Sequence, residues 1–344
     1  MCKQLLTCID AMHFLTKSVY YLIVLVSFVL VVISMMSLTY NNALWWMKAI
    51  DFPRTQYLGA AVACLFLLLF WVKKWSFWAM FLASGLLATI VIQAWFVYPY
   101  TTLATPEVSS LPSAEVRPEA RVRLMIANVY MYNRADSQLL RVVEETDPDM
   151  LLLLEPDTWW VDHISSLRQR YRYHHERPLD DTYGMALYSR YPLNNFTTLF
   201  LQHDNVPSFH CDVSLPSGRS FRFHGVHPVP PILSEHPDNA GRQEHELIAV
   251  GKLVKKKQLP TVVAGDFNDV AWSNTSRLFQ VEGALKDTRV GRGLYNSYDA
   301  TSYIMRWPLD HVYVSEAFRV LDFRRLEKIG SDHFPIYVEL ALPE

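Results

Sequence analysis

Hydrophobic residues are distributed along this 344-residue chain in two regimes that meet near residue 100. In the first regime, isolated charges separate long uncharged stretches. From Ser18 to Met47 there is no charge, and the core YYLIVLVSFVLVVISMM is apolar enough to cross a hydrocarbon layer of about 30 Å. A second stretch, containing YLGAAVACLFLLLFWV, lies between Arg54 and Lys73, and a third, containing FWAMFLASGLLATIVIQAWFVYPY, lies between Lys74 and Glu107. They predict three transmembrane helices, at about 18–40, 56–72 and 77–98. The first is longer than the apolar region of a signal peptide and is followed by two more such runs, so it reads as a retained anchor.

The second regime has shorter periods. TTLATPEVSSLPSAEVRPEA, residues 101–120, is rich in Pro, Ser, Thr and Ala without an apolar period, which predicts a linker. A globular domain is expected over 121–344. It opens with the apolar run VRLMIANVYMY, continues with a helix started at Ser137 and stopped at Asp147-Pro148, and returns to the run MLLLLE. GMALYSRYPL, CDVSLPSG and FRFHGVHPV read as strands, GRQEHELIAVGKLV as a helix, and TVVAGDFND, LDHVYVS and FPIYVELAL as further strands. Many strands with few interspersed helices predict an α/β fold, a four-layer α/β sandwich of two packed mixed sheets flanked by helices.

Charge adds an orientation. Lys3 and Lys17 precede the first span, and Lys73 and Lys74 fill the turn between the second and third, so both belong to the cytoplasmic side. Three spans then deliver the C-terminal part outside, although Lys48 and Arg54 in the first loop weaken the bias. Six of the 32 basic and two of the 34 acidic residues lie up to Thr101, leaving 26 basic and 32 acidic beyond it. That balance argues against a protein that coats duplex DNA through Lys and Arg, without excluding a nuclease. Cysteine usage is neutral: Cys2, Cys8 and Cys64 fall in the membrane part and only Cys211 beyond it, too few and scattered for a disulfide framework.

The candidate chemistry lies where strands end. Asn128 follows RLMIA, Glu155 follows MLLLL, and Asp266 and Asn268 follow TVVAG. Buried runs that lead into carboxylates need a counter-charge, and a bound cation supplies one. Oxygen donors select Mg²⁺, Mn²⁺ or Ca²⁺ over zinc. Asp310-His311 and Ser331-Asp332-His333 each stand before a strand, and a histidine beside carboxylates is a candidate general base.

In chain order, IANVY, LLLLEPD, YGMALYSRYPL, VHPVPP, AGDFND, LDHVYVS and GSDHFPI resemble the motifs of the endonuclease/exonuclease/phosphatase superfamily. Its members include pancreatic-type deoxyribonucleases, abasic-site endonucleases, sphingomyelinases and inositol-phosphate phosphatases. The resemblance spans about residues 121–342 and is that of a membrane-anchored, bacterial-type member. It implies Glu155 as the primary metal ligand, Asn128 as a partner in holding metal or phosphate, and Asp332 as a support for the metal or the neighbouring imidazole. Asp266 and Asn268 would orient nucleophile and phosphate. His333 would be the general base, Asp310 the carboxylate that orients it, and His227 a donor to a phosphate oxygen or the leaving group. The implied cofactor is Mg²⁺ or Mn²⁺. Tyr130 stands where some abasic-site nucleases carry an acid, which counts against that repair chemistry.

The expected activity is therefore metal-dependent phosphodiester hydrolysis of endonuclease type by a multi-pass protein of a bacterial cell membrane, with its catalytic domain extracytoplasmic. The partners implied are the lipid bilayer and a phosphoester substrate, nucleic acid or a phospholipid headgroup; no protein partner is inferable. One alternative is a lipid or other envelope phosphoester hydrolase, sphingomyelinase-like or phosphatase-like. Another is a non-catalytic tethered binding module, against which the complete set of candidate residues speaks. Arg190, Arg242, His245 and the lysines 255–257 are weaker candidates, and Trp272 reads as a packing residue.

Overall fold

The computed structural model describes residues 2–39, 45–230, 243–256 and 259–343, with side chains described outside 2–13, 45–46 and 243–245. Arg242 and Lys257 lie outside the described residues, as do the side chain of His245 and the expected end of the first span at Tyr40. The chain divides into two units, the described residues of 1–41 with 53–98, and those of 42–52 with 99–344.

The first unit contains α1 (Cys2–Met36), α3 (Arg54–Trp71) and α4 (Phe77–Val97); α2 (Trp45–Ala49) belongs to the second. Phe14–Met36, Arg54–Trp71 and Phe77–Tyr100 are long and apolar enough to cross a membrane. Small and aliphatic side chains meet between them: Leu30, Ala61, Cys64, Leu68, Ala83 and Leu86 form one buried cluster. Larger ones such as Phe28, Leu69, Phe81 and Val91 are exposed, the inverse of a water-soluble bundle. Arg54 is buried and donates to Ser37 Oγ (3.3 Å) and Gln93 Oε1 (3.1 Å), with its guanidinium 3.7 Å from the Phe96 ring centre. A charge among apolar helices is tolerated when it is met in this way.

The second unit runs β1 (Arg121–Asn128), α5 (Asp136–Thr146), β2 (Met150–Leu154), α6 (Thr158–His163), α7 (Leu167–Arg170), β3 (Tyr173–Arg177), β4 (Met185–Ser189), β5 (Leu193–Leu199) and β6 (Ser208–Ser214). It continues with β7 (Ser220–Val226), α8 (Gln243–Lys256), β8 (Thr261–Asp266), α9 (Asn274–Gly283), β9 (Lys286–Asp287), β10 (Asp310–Val314), β11 (Arg319–Arg325) and β12 (Ile336–Ala341). Two six-stranded sheets result, ordered β11-β12-β1-β2-β4-β3 and β5-β6-β7-β8-β10-β9.

Strand alternation makes the layers. Val122, Leu124 and Ile126 of β1 and Met150, Leu152 and Leu154 of β2 face Phe221 and Phe223 of β7 and Val262 and Ala264 of β8 in the central core. The residues between them point outward: Met125, Leu151 and Leu153 onto Leu139 and Val143 of α5, and Val263 onto Leu247 and Val250 of α8. Helices therefore cover both outer faces, and the architecture is the four-layer α/β sandwich expected from the sequence. The sheets approach closely at Gly225, where a Cβ would stand 3.1 Å from Leu152 Cδ1.

Two segments that adjoin apolar helices in sequence are part of this unit. Asp51 O accepts from Trp272 Nε1 (2.7 Å), and the Phe52 ring meets Trp307 edge-on at 5.7 Å. Over 99–120, Tyr100 OH donates to Ala271 O (2.7 Å), Glu107 accepts from the Asp287 amide (3.0 Å), and Val108 enters the central core.

Candidate active site

Both sheets carry a parallel pair at their centre, β1 with β2 and β7 with β8. Parallel strands end at the same edge, so Asn128 and Glu155 leave one sheet where His227 and Asp266 leave the other. The antiparallel neighbours enter there: Asp310 opens β10 in register with Asp266, and His333 comes three residues before β12, which pairs with β1. This topology is why residues scattered over two hundred positions converge.

Three of the loops take backbone conformations that side chains disfavour. Glu155, Asn268 and Tyr130 have φ of +62°, +52° and +56°. Positive φ at non-glycine residues is held only where surrounding contacts over-determine it. The Glu155 amide donates to Gly184 O (2.8 Å), and the Asn268 amide to Asp266 Oδ1 (2.8 Å) while its side chain donates to Pro228 O (2.9 Å). Gly265 has φ +150°, and a Cβ there would collide with the Val226 carbonyl, so only glycine lets β8 approach β7 before Asp266.

Asn128 joins the two sheets. Its Nδ2 donates to Glu155 Oε1 (2.8 Å) and Asp266 Oδ2 (3.2 Å), and its Oδ1 accepts from the Tyr130 amide (2.9 Å). His333 Nδ1 lies 2.8 Å from Asp310 Oδ2, and its Nε2 lies 3.5 Å from Asp266 Oδ2. His227 Nε2 is 3.9 Å from the same Asp266 oxygen. The His227 Nδ1 is buried without a hydrogen-bond partner among the described residues. Asp332 is half-buried and accepts from Ser331 Oγ (3.2 Å).

Burial and mutual charge set the protonation. Burial pushes the Asp266 carboxyl up to about 7 and raises Glu155 as well, with the Asn128 amide opposing it. Burial acts against charge on His333, but Asp266 and Asp310 outweigh it and raise the ring to about 10. Burial likewise works against Asp310, which His333 nevertheless holds below its ordinary value. His227 is lowered to about 4 by burial and then by the charge on His333.

Asp266, Asp310 and His333 present ligand atoms within 4.8 Å of one another. Glu155 and Asp266 sit side by side on one amide, and among the described residues neither meets a lysine or arginine. Buried carboxylates in that state fit a hard divalent cation.

Other candidates go elsewhere. Arg190 pairs with Asp149 (3.4 Å) and Asp147 near the start of β2, away from the strand ends that carry the site. His311 is held by Asp269 O (2.9 Å), and Trp272 packs on Tyr100. The structure adds groups without a sequence motif. Ser297 Oγ accepts from the amides of Leu309 and Asp310 (3.1 and 3.0 Å), and the Tyr298 ring lies 4.9 Å from that of His333. Both sit in a stretch without hydrophobic period, so only long-range contacts reveal them.

Comparison with known proteins places the family and the fold. Residues 125–333 match the family described as Endonuclease/Exonuclease/phosphatase. UPF0294 proteins of Vibrio parahaemolyticus and Vibrio vulnificus are 24% and 23% identical over 252 and 262 residues, covering 64% and 67% of this chain and 78% and 80% of theirs. Among solved structures, the human Nocturnin catalytic domain with bound sulfate superposes with TM-score 0.51 at 17% identity, covering 69% of this chain and 97% of that one. An endonuclease/exonuclease/phosphatase from Bacteroides vulgatus gives 0.52 at 16%, covering 64% and 99%. Danio rerio TDP2 complexed with a single-strand DNA product gives 0.52 at 15%, with the same coverage. At these identities the likeness is one of fold.

Proposed function

Because the chain belongs to the endonuclease/exonuclease/phosphatase family, whose members hydrolyse phosphoesters, we propose that it is a divalent-metal-dependent phosphodiesterase of a cell membrane. The observation that carries this reading is the His333 ring, bound through Nδ1 to Asp310 with its Nε2 open toward Asp266 on the edge where Glu155 and Asn128 lie.

Glu155, with Asn128 and Asp332, would hold Mg²⁺ or Mn²⁺. When bound, the ion neutralises these carboxylates and the charge that develops on the phosphate oxygens. Asp310 orients His333; a cation that offset the carboxylates holding the ring charged would let it give up its own proton, so that Nε2 faces the water and can take one. Asp266 and Asn268 orient the water and the phosphate. His227, neutral at physiological pH, presents a ring nitrogen as a donor to a phosphate oxygen. Three apolar helices tether the domain, and the lysines before the first and after the second favour an extracytoplasmic catalytic part.

Purified full-length protein in detergent should cleave a bis-aryl phosphodiester with Mg²⁺ or Mn²⁺ and lose that activity in EDTA. Full turnover in excess EDTA would overturn the reading. C-terminal alkaline phosphatase and fluorescent-protein fusions test the orientation; fluorescence without phosphatase activity would reverse it.

A further inference from the structure

Between Tyr298 and Trp307 the chain makes an excursion whose base is pinned at the active site. Tyr298 and Trp307 exchange backbone hydrogen bonds, their rings stack at 6.1 Å, and the Tyr298 ring lies against His333. At the outer end, Tyr303 is 93% exposed, Ile304 74% and Met305 43%. Among the described residues of 121–343, no other three consecutive large apolar residues are exposed. Such a tip is a liability in water unless it meets another phase.

Three basic side chains gather beside it, while its acidic neighbour Asp332 lies at the base, where its carbonyl accepts from the Ala300 amide. Arg306 and Arg325 lie over the Phe334 ring at 5.1 and 4.4 Å, next in sequence to His333, and Lys328 Nζ donates to Ala300 O (3.2 Å). None of the three forms an ion pair among the described residues, although the catalytic part is net acidic. Asp299, the excursion's own acid, is turned onto Thr301. At the base, Trp307 also meets the Phe52 ring edge-on.

We propose that residues 299–306 form a bilayer-docking finger: Tyr303, Ile304 and Met305 enter the headgroup region of an anionic phospholipid membrane while Arg306, Arg325 and Lys328 bind its phosphates, so that the diester presented to His333 is that of a phospholipid headgroup. The inference rests on the phosphodiesterase reading. An apolar tip with a basic collar is the chemistry of interfacial binding, and tyrosine suits the headgroup level. The reaction balances as hydrolysis: water adds to phosphorus, one ester P–O bond breaks, and an alcohol and a phosphomonoester are released.

The test uses the full chain in nanodiscs of phosphatidylcholine, with or without phosphatidylglycerol. In a variant with the four cysteines replaced by serine, an environment-sensitive fluorophore at Ile304→Cys should shift to the blue with phosphatidylglycerol and be quenched by spin-labelled lipid. An aqueous spectrum accessible to iodide would overturn docking, whatever the enzyme does. In parallel, Tyr303→Ser/Ile304→Ser should lower the rate on phosphatidylglycerol relative to that on a soluble bis-aryl phosphodiester by about tenfold or more. An unchanged ratio overturns the proposal. Loss on a single-stranded oligonucleotide instead would make the finger a nucleic-acid platform and also overturn it. Failure to cleave the soluble diester at all would strike the phosphodiesterase reading, while the fluorophore still reports on docking.

Discussion

Asp310 opens β10 of one sheet and His333 lies on the loop before β12 of the other, yet His333 Nδ1 lies 2.8 Å from Asp310 Oδ2 with both residues buried. Once the neighbouring carboxylates are offset and the ring is neutral, a buried imidazole held in this way has one tautomer and presents one nitrogen, the requirement for a general base. His333→Ala in the full chain is expected to lower kcat on a bis-aryl phosphodiester about 10²–10⁴-fold. Asp310→Asn should lower it as well and alter its pH profile, because the amide cannot stabilise the charged ring. Retention of full turnover by His333→Ala would remove the assignment.

Glu155 and Asp266 share the amide of Asn128 and meet no lysine or arginine among the described residues, so a cation is a fitting counter-charge. Glu155→Gln keeps the shape and removes the charge. It is expected to raise the Mn²⁺ concentration needed for half-maximal activity by about tenfold or more, in the range seen when support of a metal site is lost. Titrating the ion against activity for both proteins checks this. Identical midpoints would move the ion away from Glu155.

The strand ends were readable in the sequence because β1, β2 and β8 are apolar runs that stop at Asn128, Glu155 and Asp266, and a run followed by a polar residue needs no partner to be recognised. Asp310 and His333 were marked instead by standing just before strands, His227 came only with the family resemblance, and the alternation of strands and helices made the four-layer sandwich legible. Local signals could not locate Ser297, Tyr298, Arg306 or Trp307, which lie in a stretch without period and acquire their places from β10, Phe334 and His333. Composition also could not say what residues 101–120 do, since Val108 contributes to the core as a single valine among prolines and serines.

Glu246 on α8 offers a test of burial that is independent of catalysis. It is buried, its Oε1 has no hydrogen-bond partner among the described residues, and desolvation alone pushes its carboxyl up to about 8. A raised carboxyl pKa means that the folded state holds the proton more tightly than the unfolded one. Its contribution to stability is therefore full below the ordinary value of 4.5 and declines as pH rises through about 8, by roughly 1.4 kcal/mol per pH unit within that window. Glu246→Gln stays neutral throughout. Thermal unfolding of the full chain should show the variant gaining on the wild type from about pH 5 to pH 9. A difference independent of pH would mean that Glu246 is ionised or paired in the folded protein.

The segment between α4 and β1 makes a last prediction, about where a functional fragment can begin. Its composition suggests a dispensable tether, but Val108 is 2% exposed in the central core, Arg292 donates to Val108 O (2.6 Å), and Tyr100 holds the Ala271 carbonyl on the loop that follows Asp266 and Asn268. Burial of a valine stabilises by about 1.5–3 kcal/mol, and its removal leaves a cavity in addition. A fragment starting at Pro118 should therefore unfold at a lower temperature than one starting at Pro99, and Val108→Ala in the full chain should reproduce part of that loss. The Tyr100 contact separates stability from activity. Tyr100→Phe removes one hydrogen bond to the loop that follows Asn268 and leaves the ring on Trp272 (5.8 Å). It should lower kcat more than it lowers the unfolding temperature. Equal behaviour of the two fragments in melting and turnover would show that residues 99–117 contribute nothing to the catalytic body.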